Sequence, residues 1–156
     1  MAAVEFAMWS ALFFLVSLAG LDFGSFYLQR SSADEAVSAA AVSAFATRTS
    51  VNFDGMQGYV RALAGDNSLT VTTVCNGSTG TACTNSGRTC ACLKNNGTYV
   101  AAASCSATCS GTGMTSGSTA GYYLQIVATK PYQTMILPPG FVMPSKIRQT
   151  ATVRLQ

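Results

Sequence analysis

MAAVEFAMWSALFFLVSLAG, residues 1–20, decides how the rest of the chain is read. One acid, Glu5, opens it. From residue 6 to residue 21 no charged side chain appears, and Ser10 and Ser17 are the only hydroxyls. A bilayer core needs about 20 consecutive, mainly apolar helical residues, and this run supplies them. A buried helix of a water-soluble protein would carry a polar stripe at this length. A secretory signal peptide would open on basic residues and close on a small-residue cleavage site. Here no Lys or Arg precedes the run, and no proline interrupts LDFGSFYLQRSSADEAVSAAAVSAFA, residues 21–46, where helical spacing continues. We therefore read a retained span, residues 1–21, extended as one helix to about residue 47. At 1.5 Å per residue that helix is about 70 Å long, far more than a small monomer needs.

The charges around the span are few enough to take singly. Basic residues flank a span on its cytoplasmic side, yet the first one here, Arg30, lies beyond the run. This leads us to expect a basic leader that once preceded Met1 and was removed. Glu5 has two readings. It sits in the lipid interface, favoured by up to about 1 kcal/mol by the positive helix N-terminus. Or it pairs with a cation once the helix leaves lipid for a protein-lined core, since an unpaired buried charge costs several kcal/mol. The α-amino group of Met1, from the same copy or another, is the one cation at that depth. Asp22 stands about 25 Å further along, either as a charge at the membrane edge or opposite Arg30 of a second copy. Gly20 and Gly24 form a small-xxx-small pair, which lets helix backbones approach closely and lets the helix bend.

Beyond Arg30, Ala33, Ala36, Val37, Ala40, Ala41 and Ala44 recur at helical spacing, so one face suits packing on a following domain. Asn52 or Asp54 caps a second helix running to Leu63, with Met56, Tyr59, Val60 and Leu63 on one side; residues 65–67, Gly-Asp-Asn, end it. Residues 68–75, 122–130 and 149–155 are rich in β-branched residues and read as strands; residues 89–93 and 98–102 are weaker strand candidates. A small antiparallel sheet laid on the long helix would bury both apolar faces. The fold class is α+β: residues 1–47 the helix, residues 48–156 a small domain, with residues 76–121 a Gly/Ser/Thr-rich surface region.

All six cysteines, Cys75, Cys83, Cys90, Cys92, Cys105 and Cys109, fall in or at the edge of that region. An even count in an exported domain with a poor core indicates a disulfide framework, with 15 pairings open. Cys90 and Cys92 are too close in sequence to bond each other, whereas Cys105 and Cys109 are spaced so that they could close one tight loop. A metal site is the rival explanation, but the chain has no His and no CxxC pair. We expect no cofactor and no metal. Asn76-Gly77-Ser78 and Asn96-Gly97-Thr98 match the N-glycosylation triplet. Residues 131–144, PYQTMILPPGFVMP, form an apolar loop, folded over the local core or exposed for a second copy to cover through residues such as Phe141.

Catalysis has little to work with. The absence of His removes the commonest general base, four of the six acids lie on the long helix, and no phosphate-cradling glycine motif occurs. The net charge of +3 comes from nine scattered basic residues, too few and too dispersed for nucleic acid.

AAVEFAMWSALFFLVSLAGLDFGSFYLQRSSADEAVSAAA, residues 2–41, with an acid at position 5 followed by an aromatic (Glu5-Phe6), resembles the N-terminal segment of TadE-like proteins, pilin-like subunits of tight-adherence pili related to type IV pilins. Residues 123–156 resemble the closing strands of the same family, so the resemblance spans about half of the chain. It implies cleavage by a prepilin peptidase just before Met1, N-methylation there, and Glu5 contacting the N-terminus of a neighbouring subunit. The cysteine-rich middle departs from the family pattern, and nothing is carried over to it. The expectation is a filament subunit that polymerises through its N-terminal helix, with Met1, Glu5, Phe6, Gly20, Asp22, Gly24 and Arg30 as assembly residues. It would be held in the bacterial inner membrane, domain in the periplasm, until pilus assembly machinery moves it to the cell surface, where it would support adhesion. The alternative is a single-span periplasmic assembly factor, or a minor pilin at the pilus tip.

Overall fold

A computed structural model describes residues 2–79, 88–135 and 144–156. Met1, Cys83 and residues 136–143, Phe141 among them, lie outside the described residues. Helix α1 (Ala2–Ala46) is followed by α2 (Phe53–Ala64) and by strands β1 (Thr70–Cys75), β2 (Ser78–Thr79), β3 (Ala91–Leu93), β4 (Tyr99–Ala101), β5 (Tyr123–Pro131) and β6 (Lys146–Arg154). The architecture is α+β, a long apolar helix followed by small antiparallel sheets.

The two halves of α1 meet different surroundings. In the second half Ala33, Ala36, Val37, Ala40, Ala41 and Ala44 are buried. Alanines at this spacing form a narrow, flat stripe, and the sheet lies directly against it. That sheet is ordered β2-β1-β5-β6 with every pair antiparallel. The central strand β5 points Leu124, Ile126 and Ala128 inward, all fully buried, and Val71 of β1 and Ile147 of β6 extend the same layer. Residues two apart in a strand share a face, so the alternation of β5 is what fixes its register against the helix.

α2 closes the side of this core. Its start and stop are written in single residues. The Asn52 side chain accepts a hydrogen bond from the Gly55 amide at 2.9 Å, and Gly65, at φ +63°, takes the left-handed turn that ends the helix. Phe53, Met56 and Val60 form its buried face, while Tyr59 and Leu63, expected beside them, stay largely exposed. Phe53 supplies the larger inward group three residues before Met56, which turns the helix away from the strip carrying Tyr59 and Leu63. The Ser32 hydroxyl donates to the Ala64 carbonyl at 3.1 Å, fastening the end of α2 to α1.

After α2, Asp66 holds the next turn. Its carboxylate accepts from the Ser68 amide and hydroxyl and from Lys130 Nζ at 2.6 Å. These bonds, the one from Lys130 first, lower its pKa to about 2 from the usual 3.8. A depressed folded-state pKa contributes stability above the ordinary carboxylate range and loses it as pH falls toward 2. Both side chains are about a quarter exposed, so the contribution is that of a surface pair, about 1 kcal/mol or less. Asp66→Asn should thus lower the melting temperature slightly at pH 7, and melts recorded from pH 5 down to pH 2 should show the difference from wild type vanish.

A two-residue strand, β2, was not anticipated. Cys75 pairs with Ser78 across Asn76-Gly77, whose φ values are +48° and +81°. Two successive positive φ angles make the hairpin turn whose twist matches the strands it joins, and Asn-Gly is its preferred dipeptide.

β3 and β4 form a separate two-stranded sheet, stapled to the segment after it by Cys90–Cys105 and Cys92–Cys109, with Cα–Cα distances of 5.0 and 5.7 Å. Of the pairings the sequence leaves open, a Cys105–Cys109 loop is not the one formed. Cys90 and Cys92, two residues apart, face the same way and offer two parallel anchors, so each takes one of the downstream cysteines. Cys75 is disulfide-bonded as well, and no free cysteine occurs among the described residues.

Candidate functional site

Before Asp22, α1 is not buried against any of the described residues. An 18-residue stretch of it is apolar, long enough to cross a membrane, and wholly unburied. Trp9 is 71% exposed, and Phe6, Phe13, Phe14 and Leu15 are exposed to a similar degree. A helix apolar on every side does not face water in a finished structure; this one needs lipid, other helices, or each in turn.

Glu5 lies on this projecting half, on a shallow apolar surface with Met8, Trp9 and Leu12 three, four and seven residues on. It forms no ion pair among the described residues. Phe6 beside it is exposed. Met1 lies outside the described residues.

Gly20 and Gly24 are informative through what surrounds them. Among the described residues a Cβ at either position would meet nothing within 4 Å, so no contact there requires a glycine. At 100° per residue both lie about 160° around the helix from Asp22. The open glycine face is thus the side turned away from the folded domain.

Asp22 itself is completely buried. Its Oδ1 accepts from the Met135 amide at 2.9 Å, its backbone carbonyl accepts from the Tyr132 hydroxyl at 2.8 Å, and the Tyr132 ring packs edge-on against Phe26 at 5.0 Å. The sequence reading had placed this acid at the membrane edge or opposite Arg30 of a second copy. The structure engages it within the chain, tying the segment after β5 to the helix where the projecting half begins. Arg30 is exposed, with its carbonyl accepting from Gln149 Nε2 at 3.4 Å. Tyr132 and Met135 were not recognised as Asp22's partners; 110 and 113 residues of separation leave no local signal.

Removing the Asp22 carboxylate takes the acceptor from the part-buried Met135 amide, at a cost of about 1.5–3 kcal/mol for a hydrogen bond to a charged group. Asp22→Ala should lower stability by that amount and speed hydrogen exchange at Met135. Asp22→Asn, which keeps the acceptor oxygen, should recover part of the loss.

The two glycosylation triplets are placed differently. The Asn76 side chain donates to the Thr89 carbonyl and accepts from the Tyr123 amide at 2.9 Å, so its amide nitrogen is engaged in the fold. Asn96 is exposed, with its oxygen bonded to the Thr98 amide and hydroxyl. Among the described residues no group of three or more Cys, Asp or Glu could hold a metal ion.

No curated protein and no solved structure matches the chain. Residues 1–42, however, match the family model described as TadE-like protein. They comprise the projecting half of α1, Glu5, both glycines, Asp22 and most of the alanine stripe, and over this stretch, about a quarter of the chain, the sequence is similar to that family.

Proposed function

We propose that the chain is a pilin-like structural subunit of a Tad-type pilus. It resides in the membrane through the first half of α1 and then polymerises with copies of itself through that same helix. The observation that carries this reading is the helix: TadE-like, apolar on every side, unburied, and opened by a single carboxylate. The glycine face turned away from the domain supports it, because small residues without an intramolecular reason suit close approach of a second helix. In the assembled form Glu5 meets a cation of a neighbouring copy, the Met1 amine being the candidate, and the disulfide-braced domain coats the outside. Before assembly the chain is in the bacterial inner membrane with its domain in the periplasm, where it is handled by a prepilin peptidase and the pilus assembly machinery. Afterwards it is at the cell surface, in contact with whatever the filament adheres to. The role is structural rather than catalytic.

Immunogold labelling of sheared filaments tests the reading. Label along the shaft is the expected result. Label confined to the tip would make this a minor pilin. Label retained in the cell envelope would make it a membrane-anchored assembly factor and overturn the proposal.

A further inference from the structure

The base of the domain, where α1 leaves the sheet, carries a surface that assembly through the helix does not account for. Phe23, Tyr27 and Arg30 follow one another at i, i+4 and i+7, so they share one exposed stripe of α1. Met135 is 82% exposed, and its amide is held by Asp22, which fixes it at the same height on the helix. The first residues of β6 arrive at that height too. Lys146 pairs with Pro131, the neighbour of Tyr132, and Arg148 pairs with Thr129 two positions back. Both are exposed, while Ile147 between them is buried against the helix.

The charges at this end are of one sign. Arg30 lies about 12 Å above Asp22 along the helix, and Gln149, next to Arg148 at the start of β6, donates to the Arg30 carbonyl, which brings that end of β6 to the level of Arg30. Of the acids, Asp22 is buried, Asp66 is engaged by Lys130, and the next one on α1 is Asp34, about 18 Å up. Residues 136–143 add no charge. Aromatic side chains continuing directly from an apolar span mark a membrane–water boundary on either face of a bilayer. A cationic rim within a Debye length of such a boundary is attracted to anionic lipid.

We propose that this base, formed by Phe23, Tyr27 and Met135 with Arg30, Lys146 and Arg148 above them, docks on the anionic headgroup surface of the membrane and holds the domain upright against it before assembly. The inference rests on the membrane-anchored stage described above. It goes beyond that stage in assigning the domain itself a lipid contact. A second copy covering the same surface is the competing occupant.

The full-length chain reconstituted in vesicles tests it. Trp9 is the only tryptophan and lies about 20 Å below Asp22, so its quenching by lipids brominated deep in the acyl chain reports the span. Met135→Trp in a Trp9→Phe background reports the base. The expected result in vesicles containing phosphatidylglycerol is a blue-shifted emission from this introduced indole, quenched best by bromine near the headgroup. High salt, pure phosphatidylcholine, or Lys146→Glu with Arg148→Glu should each reduce that quenching by about half or more. An unquenched Trp9 in the parent chain would remove the anchoring reading itself. A quenched Trp9 there, beside water-like emission from the Met135→Trp reporter, would overturn the docking alone. So would protection of the reporter that ignores lipid charge and salt, or that vanishes when the protein is diluted to one copy per vesicle.

Discussion

Replacing all four cysteines of the two described bridges with alanine unfolds the segment between β3 and β5 at 37 °C and leaves the sheet on α1 standing. The bridges span 15 and 17 residues, and closing a loop of that length contributes about 3 kcal/mol. Because the two loops overlap, the second closes less free chain than the first, so the pair contributes about 4–5 kcal/mol rather than the simple sum. A typical domain holds about 5–15 kcal/mol in total. Little else in the segment resists the loss. β3 and β4 have three residues each, and Cys90, Cys92 and Cys109 themselves make up much of its buried apolar surface along with Ala91 and Ala120. Cys90, Cys92 and Cys109 join the same buried cluster as Ala36, Val37, Ala40, Leu124, Ile126 and Ala128, but α1 packs directly on β5 and β6, and none of the four replaced cysteines lies on those three elements. Hydrogen exchange should accordingly rise toward unprotected rates at Ala91–Leu93 and Tyr99–Ala101 and stay slow at Ile126 and Ala128. A uniform rise over both regions would mean that the bridges brace the whole domain, and preserved protection in β3 would mean that they contribute nothing.

The contrast between these regions also explains what the sequence made legible. Helix α1 shows itself because every signal in residues 1–46 is local: an unbroken apolar run, then alanines at helical spacing. The ends of α2 are likewise each set by one residue, Asn52 and Gly65, acting on backbone groups three or four positions away. Strand β5 was legible from the β-branched residues that pack its two faces. The cysteine pairs were not, since choosing among 15 pairings requires the path of residues 103–109 across β3. Asn76-Gly77 carried two meanings, a sugar acceptor and a hairpin turn, and only the neighbouring strand, through the Tyr123 amide on the Asn76 oxygen, selects the turn. Asp22 was visible as an oddity, but its partners within the chain were not, because they enter from the far end of the sequence. Glu5 is the opposite case. It was equally visible, and the folded chain supplies it with no counter-charge among the described residues.

That difference makes Glu5→Ala the sharpest variant of the chain, and its expected outcome is a stable, membrane-inserted protein that forms no filaments. Glu5 is exposed and touches none of the described residues of the domain, so its loss leaves the core of α1, α2 and the sheet unchanged, and thermal unfolding should match wild type. Insertion should improve slightly, because a methyl replaces a carboxylate at the edge of an apolar helix. Assembly is where the cost falls. Between helices, with water excluded, the cation that faced Glu5 loses its partner, and breaking one side of a buried ion pair costs about 3–5 kcal/mol. At about 1.4 kcal/mol per tenfold, each subunit addition weakens by a factor of roughly 100–4,000, and because a filament repeats the contact at every subunit, the concentration needed for growth rises beyond what a membrane holds. Glu5→Gln keeps the shape and removes the charge, so it should fail in the same way, whereas Glu5→Asp should assemble at reduced yield. Filament counts by electron microscopy, set beside the amount of protein in the membrane fraction, read all three. Wild-type numbers of filaments from Glu5→Ala would show that the helices pack without this pair, and the carboxylate would then be an interfacial charge with no part in polymerisation.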